Sequence, residues 1–446
     1  MSRVRRRLAA RRLYPHRIFL AVLAGATLVG SAAAQLLPPV GLPAPPVLGG
    51  VVGGIAGTQR QSGRVPVMRT LDTLGIPDTA ASLSPVDLLQ LRKLRLRELV
   101  RDHRGVLEMD DDDNPVRRGE LLAIDPDPAS LAAARRAGFV IIRDNAEIEL
   151  GLRTIVLATP GKMSAREGLQ KLRRAAPGIE ADYNHLFEPA GGALMVTGAA
   201  LAAQAGTGTA KRIAMIDGGV APHPAFAGVA IEQRGFAGTA RATGHGTAVA
   251  SLLVGQEGRF SGAARGASLF VADVYGGDQA AGSAEAIVRA LAWAIAKRPQ
   301  VINISLAGPP NLLLKRAVEA AARRQIPIVA AVGNDGPAAP PQFPASYPTV
   351  VAVTGVDARD RALPEAGRIP SLAFAAPGAD MAAALPVRDF ARVRGTSFAA
   401  PLVAARLAAV GSERALAAEA VKGRGRVGLG IVCKTCRVDP KLVGAK

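Results

Sequence analysis

Cysteine is almost absent from this chain, since Cys433 and Cys436 are the only two among 446 residues. One pair cannot supply the four ligands of a structural zinc site. The C-x-x-C spacing leaves two alternatives, a short-range disulfide in an oxidising compartment or a thioredoxin-like redox pair. No strand followed by a helix surrounds the pair in the way a redox centre requires, so we predict the disulfide.

Aromatic residues are also scarce, at 4% of the chain, whereas hydrophobic residues make up 49% and glycine occurs 49 times. This composition favours close packing of helices on sheets over aromatic anchoring. A chain of this length can bury a large core, and the length predicts two domains. We therefore expect an α/β architecture.

Acidic residues are outnumbered, 36 against 55 lysines and arginines, which gives a net charge of +19. Seven of the arginines lie within residues 1–17, and without them about +12 remains. The other basic residues alternate with acids, and the sequence has no basic patch interleaved with aromatics. We therefore predict no nucleic-acid partner.

Long hydrophobic runs are missing apart from residues 18–30, which follow the arginines and precede "SAAAQ". This order of charged region, apolar region and A-x-A site is typical of a secretory signal, with cleavage after Ala34. We predict a secreted or periplasmic protein. An uncleaved amino-terminal membrane anchor is the alternative, although the apolar run is short for a membrane span.

Composition and periodicity divide the chain into further regions. Asp110 to Asp113 lack the alternating spacing of a calcium loop, and they predict a solvated turn. Strand and helix patterns then follow one another in the βαββαβ order of a ferredoxin-like unit. The predicted regions are a signal peptide at 1–34, a Pro/Gly-rich linker at 35–83, a helical segment of unknown role at 84–118, a ferredoxin-like domain at 119–190 and a larger domain at 191–446.

The larger domain alternates nearly continuous apolar strands, such as "RIAMI", "VINISL" and "TVVAVTGV", with helical stretches. Such strands predict a doubly wound, mostly parallel sheet with helices on both faces. Catalytic groups in these sheets collect at the carboxyl ends of the strands. Asp217 ends a strand, and His245 and Ser397 each open a helix.

Each of these three residues alone is ordinary, as a turn aspartate, a loop histidine and a helix N-cap serine. Together they match one chemical requirement. A weak hydroxyl nucleophile needs a base, and that base needs a carboxylate to orient it. Asn334 in "AVGNDGP" adds a side-chain amide that can donate to an oxyanion.

The motifs "IAMIDGG", "GHGTAVAS", "VINISLAGP", "AAVGNDGP" and "GTSFAAP" resemble, in order, those of the subtilisin-like serine proteases. The resemblance covers roughly residues 200 to 435. It implies that Ser397 is the nucleophile, His245 the general base, Asp217 the orienting carboxylate and Asn334 the oxyanion donor. It also implies a substrate-binding strand and an opposite pocket wall. The residues assigned to these are Ser305, Leu306, Ala307 and Gly308 for the strand, and Ala330 to Gly333, including Ala331 and Gly333, for the wall.

Several positions depart from the family pattern. Family members usually have glycine where Ala307 stands, so we expect a pocket that prefers medium apolar residues to large aromatics. Ala225 stands where an aspartate often helps to bind calcium, and the loop 255–262 is short. We therefore expect no cofactor or catalytic metal, although a structural calcium stays possible without the usual tight site.

The ferredoxin-like unit resembles the family's propeptide, which caps the active site and is removed by the enzyme itself, here near residues 187–192. The expected function is an exported serine endopeptidase made as a self-processing zymogen, with protein or peptide substrates and its own propeptide domain as partners. The alternative is a non-catalytic subtilase-fold module that binds peptides or acts as a chaperone. A processing protease dedicated to one partner would use the same chemistry.

Overall fold

The computed structural model describes residues 83–190, 197–204, 211–387 and 389–445. All of them belong to one compact unit, Arg64–Lys446. The predicted signal peptide and all but the last residue of the predicted linker lie outside the described residues.

Helix α1, Pro85–Asp102, comes first among the described elements. Ser84 caps it, since its hydroxyl accepts a hydrogen bond from the Asp87 N–H while the Asp87 carboxylate accepts one from the Ser84 N–H. This reciprocal pair satisfies two donors at the helix start. The helix lies within the helical segment that the sequence predicts at 84–118.

A small antiparallel sheet with two helices follows α1. Its elements are β1 Leu107–Met109, β2 Pro115–Ile124, α2 Pro128–Arg136, β3 Val140–Glu147, β4 Leu152–Ala158, α3 Ala165–Ala175 and β5 Ala181–His185. The strand order is β1-β2-β4-β3, with β5 also paired to β2. From β2 to β5 the elements have the order βαββαβ.

The two faces of this sheet have different neighbours. One face packs on α2 and α3 around Leu121, Leu157 and Leu172. The other face contributes Leu122 and Val156 to an apolar cluster that it shares with the helices of the larger sheet. The small sheet is therefore docked onto the larger part of the unit through its second face.

The larger sheet has seven strands, which are β8 Arg212–Asp217, β9 Ile231–Gly235, β13 Ser268–Asp273, β14 Val301–Ile304, β16 Ile328–Ala331, β17 Val350–Val356 and β18 Leu372–Pro377. Their order is β18-β17-β16-β14-β8-β13-β9, and every neighbouring pair is parallel. Successive residues of a strand lie on opposite faces of the sheet, and the central strands are buried along their whole length. The doubly wound fold class predicted from the sequence is confirmed.

Helices cover both faces of this sheet. α4 Gly244–Val254 and α7 Thr396–Val410 pack on one face, and α5 Ala284–Ala296 and α6 Leu312–Arg323 on the other. The remaining elements are β6 Glu188–Pro189, β7 Thr197–Ala199, β10 Arg241–Thr243, β11 Gln256–Glu257, β12 Phe260–Ser261, β15 Leu306–Ala307, β19 Met381–Ala384, β20 Phe390–Val393 and α8 Glu413–Glu419. Among the described residues, none of the helices combines the length and apolar character needed to cross a bilayer.

One detail differs from the sequence-based expectations. The segment 110–113 is a turn, but the Asp110 side chain is buried and bonded to His185 rather than solvated. Pro401 is the sixth residue of α7. The structure joins Cys433 and Cys436 in a disulfide near the carboxyl end.

Candidate active site

Asp217 and His245 meet where β8 ends and α4 begins. The Asp217 Oδ1 atom lies 2.8 Å from the His245 Nδ1 atom and also accepts the Gly218 N–H at 2.7 Å. Both side chains are buried, at 0% and 2% exposure. A buried carboxylate on Nδ1 fixes the ring orientation and leaves Nε2 for proton transfer.

Two glycines allow this approach. A Cβ atom on Gly218 would collide with the Thr243 side chain, and one on Gly246 would collide with the backbone of Gly218. Thr243 in turn caps α4, because its hydroxyl accepts the Gly246 N–H at 2.9 Å. Gly218 and Gly246 therefore allow the end of β8 to pack closely on the start of α4.

Ser397 is the second residue of α7 and is fully buried. Gly395 is the N-cap, with φ of 140°, and it provides no side-chain cap. The Phe398 ring lies 5.4 Å from the His245 ring, so the start of α7 faces the start of α4. Neither the Ser397 hydroxyl nor the His245 Nε2 atom has a hydrogen-bond partner within the part of the chain that the structure describes.

Asn334 lies beside the start of α7, after β16. Its side-chain oxygen accepts the Thr396 N–H at 3.0 Å, which caps the helix that carries Ser397. This bond fixes the amide, whose Nδ2 atom is buried and has no partner among the described residues. Gly333, with φ of 86°, provides the turn that brings Asn334 there. The amide is thus a free donor held next to the helix N-terminus.

The backbone of Ser397 is held from outside its own helix. In an α-helix its carbonyl would accept the N–H of residue 401, but Pro401 has no N–H. The Ser305 hydroxyl donates to this carbonyl instead, at 2.9 Å. Ser305 is itself fixed by the Asn303 amide at 3.0 Å, and both side chains are fully buried.

Sequence reasoning missed a buried ion pair next to the nucleophile. Arg394 contacts Glu365 with Nε–Oε1 at 2.8 Å and donates from its Nη2 atom to Oε2 at 3.0 Å. The Glu365 carbonyl accepts the Gly336 N–H from the loop that carries Asn334. The pair therefore links that loop to the chain entering α7. No motif marks it, because its two residues are 29 positions apart.

A second missed carboxylate, Asp273, lies beside Asp217 in the neighbouring strand β13. Burial raises its pKa above the ordinary value of 3.8, and the charge of Asp217 adds to this, against the lowering effect of three backbone N–H groups. Those donors belong to Arg241, Tyr275 and Gly276. Asp273 therefore holds the segments that contain Arg241 and Tyr275 next to Asp217.

The predicted substrate-binding strand is paired with the chain's own segment. β15 pairs antiparallel with β6, with Leu306 opposite Pro189 and Ala307 opposite Glu188. The Ala190 N–H donates to the Ser305 carbonyl at 2.9 Å. This is strand addition, the mode by which extended peptides bind sheet edges.

Phe187 anchors the same segment. It is fully buried, its N–H donates to the Gly282 carbonyl at 2.8 Å, and its own carbonyl accepts the Tyr275 hydroxyl at 2.9 Å. Gly308 has no side chain at this point, and a Cβ atom there would collide with the Phe187 ring. Gly308 thus leaves room for the Phe187 ring, and Gly282 leaves room for the Phe187 carbonyl and the Tyr275 ring.

The two predicted pocket walls come close to each other. A Cβ atom built on Gly333 would lie 3.5 Å from the Ala307 Cβ atom. Ala331, in contrast, is buried in the apolar cluster beneath α7. Among the described residues, no group of three or more His, Cys, Asp or Glu side chains is arranged to hold a metal ion.

Part of this chain is similar in sequence to known proteins. The model of the subtilase family, Peptidase_S8, matches residues 208–422. The chain is 32% identical over 209 residues to Subtilisin BL of Lederbergia lenta, covering 46% of this chain and 77% of that protein. It is 32% identical over 176 residues to the Major intracellular serine protease of Bacillus subtilis (strain 168), covering 38% of this chain and 55% of the relative.

One solved structure shares the fold over a larger part of the chain. Fervidolysin from Fervidobacterium pennivorans, described as a keratinolytic enzyme related to subtilisin, superposes with a TM-score of 0.60 at 18% identity. The match covers 73% of this chain and 62% of that chain.

Proposed function

Because this chain belongs to the subtilase family, which indicates a serine-type endopeptidase, we propose that it hydrolyses peptide bonds with Asp217, His245 and Ser397 as its triad. The observation that carries the proposal is the buried 2.8 Å contact between Asp217 and His245. It stands beside a buried serine hydroxyl and a buried imidazole nitrogen that have no other partners among the described residues.

In the proposed reaction the Ser397 Oγ atom attacks the substrate carbonyl while His245 Nε2 takes the hydroxyl proton. The carbonyl oxygen becomes an oxyanion, which the Asn334 amide and the Ser397 N–H bind at the start of α7. The C–N bond then breaks, His245 protonates the leaving amine, and an ester forms on Ser397. Water, deprotonated by His245, hydrolyses this ester and restores the serine.

We further propose that the chain is a zymogen that cuts itself after Ala190. Residues 186–190 occupy the edge at which a substrate strand would bind, with Phe187 as the buried anchor. The Ala190 N–H binds the Ser305 carbonyl and the Ser305 hydroxyl binds the Ser397 carbonyl, so these contacts connect Ala190 to the residue that carries the proposed nucleophile. The docked small sheet would then act as the propeptide domain.

Export of the protein and cleavage of residues 1–34 are likewise part of the proposal. They rest on the order of arginines, apolar run and small residues in the sequence. Absence of a tight calcium site stays a prediction. Substrates are proposed to be extended protein or peptide segments, since the edge strand recognises backbone groups.

The test compares the native chain with its Ser397→Ala variant. We expect the native chain to react with a fluorophosphonate and to release a fragment whose first residue is Gly191, as read by amino-terminal sequencing. The variant should do neither, because the nucleophile is gone.

A native chain that is neither labelled nor self-cleaved at any pH from about 6 to 10 would overturn the protease assignment, because a histidine base is competent there. Labelling without self-cleavage would leave the protease intact and refute the zymogen proposal. Peptide binding without labelling would favour the non-catalytic module.

A further inference from the structure

Helix α1 lies against the loop that carries Asn334. The helix precedes the ferredoxin-like pattern, and the sequence assigns it no role. A Cβ atom added to Gly336 would lie 2.9 Å from the Leu88 Cβ atom, so the helix and the loop are in direct contact. Leu88 is 6% exposed.

Arg92 extends this contact one turn along the helix. Its Nε atom donates to the Asp335 carboxylate at 3.1 Å, and its Nη2 atom donates to the Asn114 side chain at 3.3 Å. The Arg92 and Asp335 side chains are 8% and 12% exposed. A charge pair this well covered requires both partners, because either charge alone would be buried without compensation.

Arg95 reaches two acidic residues at once. Its Nη2 atom lies 3.0 Å from Asp335 Oδ1 and 3.1 Å from Glu188 Oε2. Glu188 belongs to β6, the strand that fills the cleft, and Asp335 directly follows Asn334. One guanidinium therefore links β6 to the loop that carries Asn334.

The positions on α1 form one stripe. Leu88, Arg92, Arg95 and Leu99 are spaced by four, three and four residues, which puts them on one helix face. Leu99 and Val100 pack further along, against a small cluster that includes Leu186. This face of α1 therefore contacts Leu186 and Glu188 as well as the loop at 335–336.

We propose that Asp335 and Gly336 form a docking surface for helix α1, which carries Arg92 and Arg95, and that α1 closes the cleft as a second inhibitory element. This regulation rests on the proposed function. The β6 strand blocks the substrate edge, and α1 holds that strand against the loop of Asn334. After cleavage behind Ala190, α1, the small sheet and β6 remain one fragment, whose release requires the pairs to Asp335 to break.

The first test uses the full chain with Ser397→Ala, so that no cleavage occurs. Hydrogen exchange is compared between R92Q/R95Q and R101Q, whose arginine pairs, within the described part of the chain, only with Glu98 and Asp102 of its own helix. We expect the amides of Phe187 and Ala190 to exchange at least about fivefold faster in R92Q/R95Q, and to be unchanged in R101Q.

Faster exchange confined to residues 85–102, or no change at Phe187 and Ala190, would overturn the proposal. The single variant R95Q serves as a milder version, because the Arg95 side chain is 47% exposed and we expect its loss to leave the fold intact. D335N added to R92Q/R95Q should not speed exchange further and should partly slow it, because it removes the carboxylate that the two substitutions leave covered and unpaired. A full additional effect would place Asp335 outside this docking surface.

The second test uses the native chain and follows peptide hydrolysis after self-cleavage. Activity should appear sooner in R92Q/R95Q than in R101Q, by about fivefold, and higher salt should shorten the delay of the unsubstituted chain. An equal delay in both variants refutes the inhibitory role. A native chain without labelling or self-cleavage refutes the proposed function instead, while the exchange measurement on the Ser397→Ala chain still reports the docking.

Discussion

The carbonyl oxygen of Ser397 lies where the N–H of residue 401 would bind it, and Pro401 has no N–H to give. Proline inside a helix ordinarily destabilises it by leaving this acceptor unpaired. Here the Ser305 hydroxyl replaces the missing donor. Ser305, which directly precedes β15, thereby fixes the backbone of Ser397.

At the residue scale, we predict that Ser305→Ala in the Ser397→Ala chain lowers the free energy of unfolding by about 1–3 kcal/mol. The substitution leaves the buried carbonyl of residue 397 and the buried Asn303 amide without their partner. Denaturant unfolding measures the change. Ser261→Ala, at an exposed serine, is the control, and equal stability of both variants would show that the Ser305 bridge has no energetic importance.

At the element scale, β15 and the loop after β16 are the walls of the proposed substrate pocket. The Ala307 methyl lies close to Gly333 on the opposite wall. Each additional methyl in a narrow apolar site costs about 1–3 kcal/mol of discrimination against a larger substrate group. We therefore propose that Ala307 limits the size of the residue before the cleaved bond.

We predict that Ala307→Gly shifts this choice towards large aromatics. The ratio of kcat/KM for peptides with phenylalanine against alanine before the cleaved bond should rise about tenfold, because the pocket gains the volume of one methyl group. Steady-state hydrolysis of paired peptides gives the ratio. Ala227→Gly, at an exposed loop alanine, should leave it unchanged, and an unchanged ratio in Ala307→Gly would place the pocket elsewhere.

At the scale of the whole molecule, polar contacts attach the small sheet to the larger part of the unit. Arg143 pairs with the buried Glu285 at 2.7 Å, and His185 bonds to Asp110 at 3.1 Å and to Asn311 at 3.0 Å. Asn311 caps α6 through its side-chain oxygen. The docking therefore joins the small sheet to the starts of two helices of the larger sheet.

Asp110 makes this docking sensitive to acid. Burial acts to raise its pKa, but hydrogen bonds from His185, Asn114 and Asp112 outweigh burial and hold the pKa below the ordinary value of 3.8. A carboxyl group with a lower pKa in the folded state binds fewer protons there than in the unfolded chain. Its stabilising effect is therefore complete above 3.8 and is lost as pH falls through the folded-state pKa.

We predict that Asp110→Asn in the Ser397→Ala chain lowers the free energy of unfolding by about 1–2 kcal/mol at neutral pH. The fall in Tm between about pH 4 and 2 should also become shallower, because one depressed carboxyl is gone. Calorimetry across this range measures both effects. Asp112→Asn, at an exposed position of the same turn, is the control. If the Tm of Asp110→Asn followed the same curve against pH as that of the Ser397→Ala chain, the prediction would be wrong.

The sequence by itself determined the parallel sheet and the order of the motifs around Asp217, His245, Asn334 and Ser397. These depend on neighbouring residues: apolar runs make buried strands, glycines permit close approach, and Thr243 caps its helix within three residues. The confirmed fold class followed from such local patterns. The start of α1 at Ser84 did so as well, through the capping box.

Only the tertiary structure decided which distant residues meet. Arg95 contacts Asp335 across 240 positions of the sequence, Ser305 contacts Ser397 across 92, and Arg394 pairs with Glu365 across 29. The energy of such pairs depends on burial and geometry that exist only after the chain has folded. Neither the spacing of residues nor the composition predicts such long-range pairs. For this reason the sequence alone assigns α1 no role, whereas its contacts with Asp335 and Glu188 do.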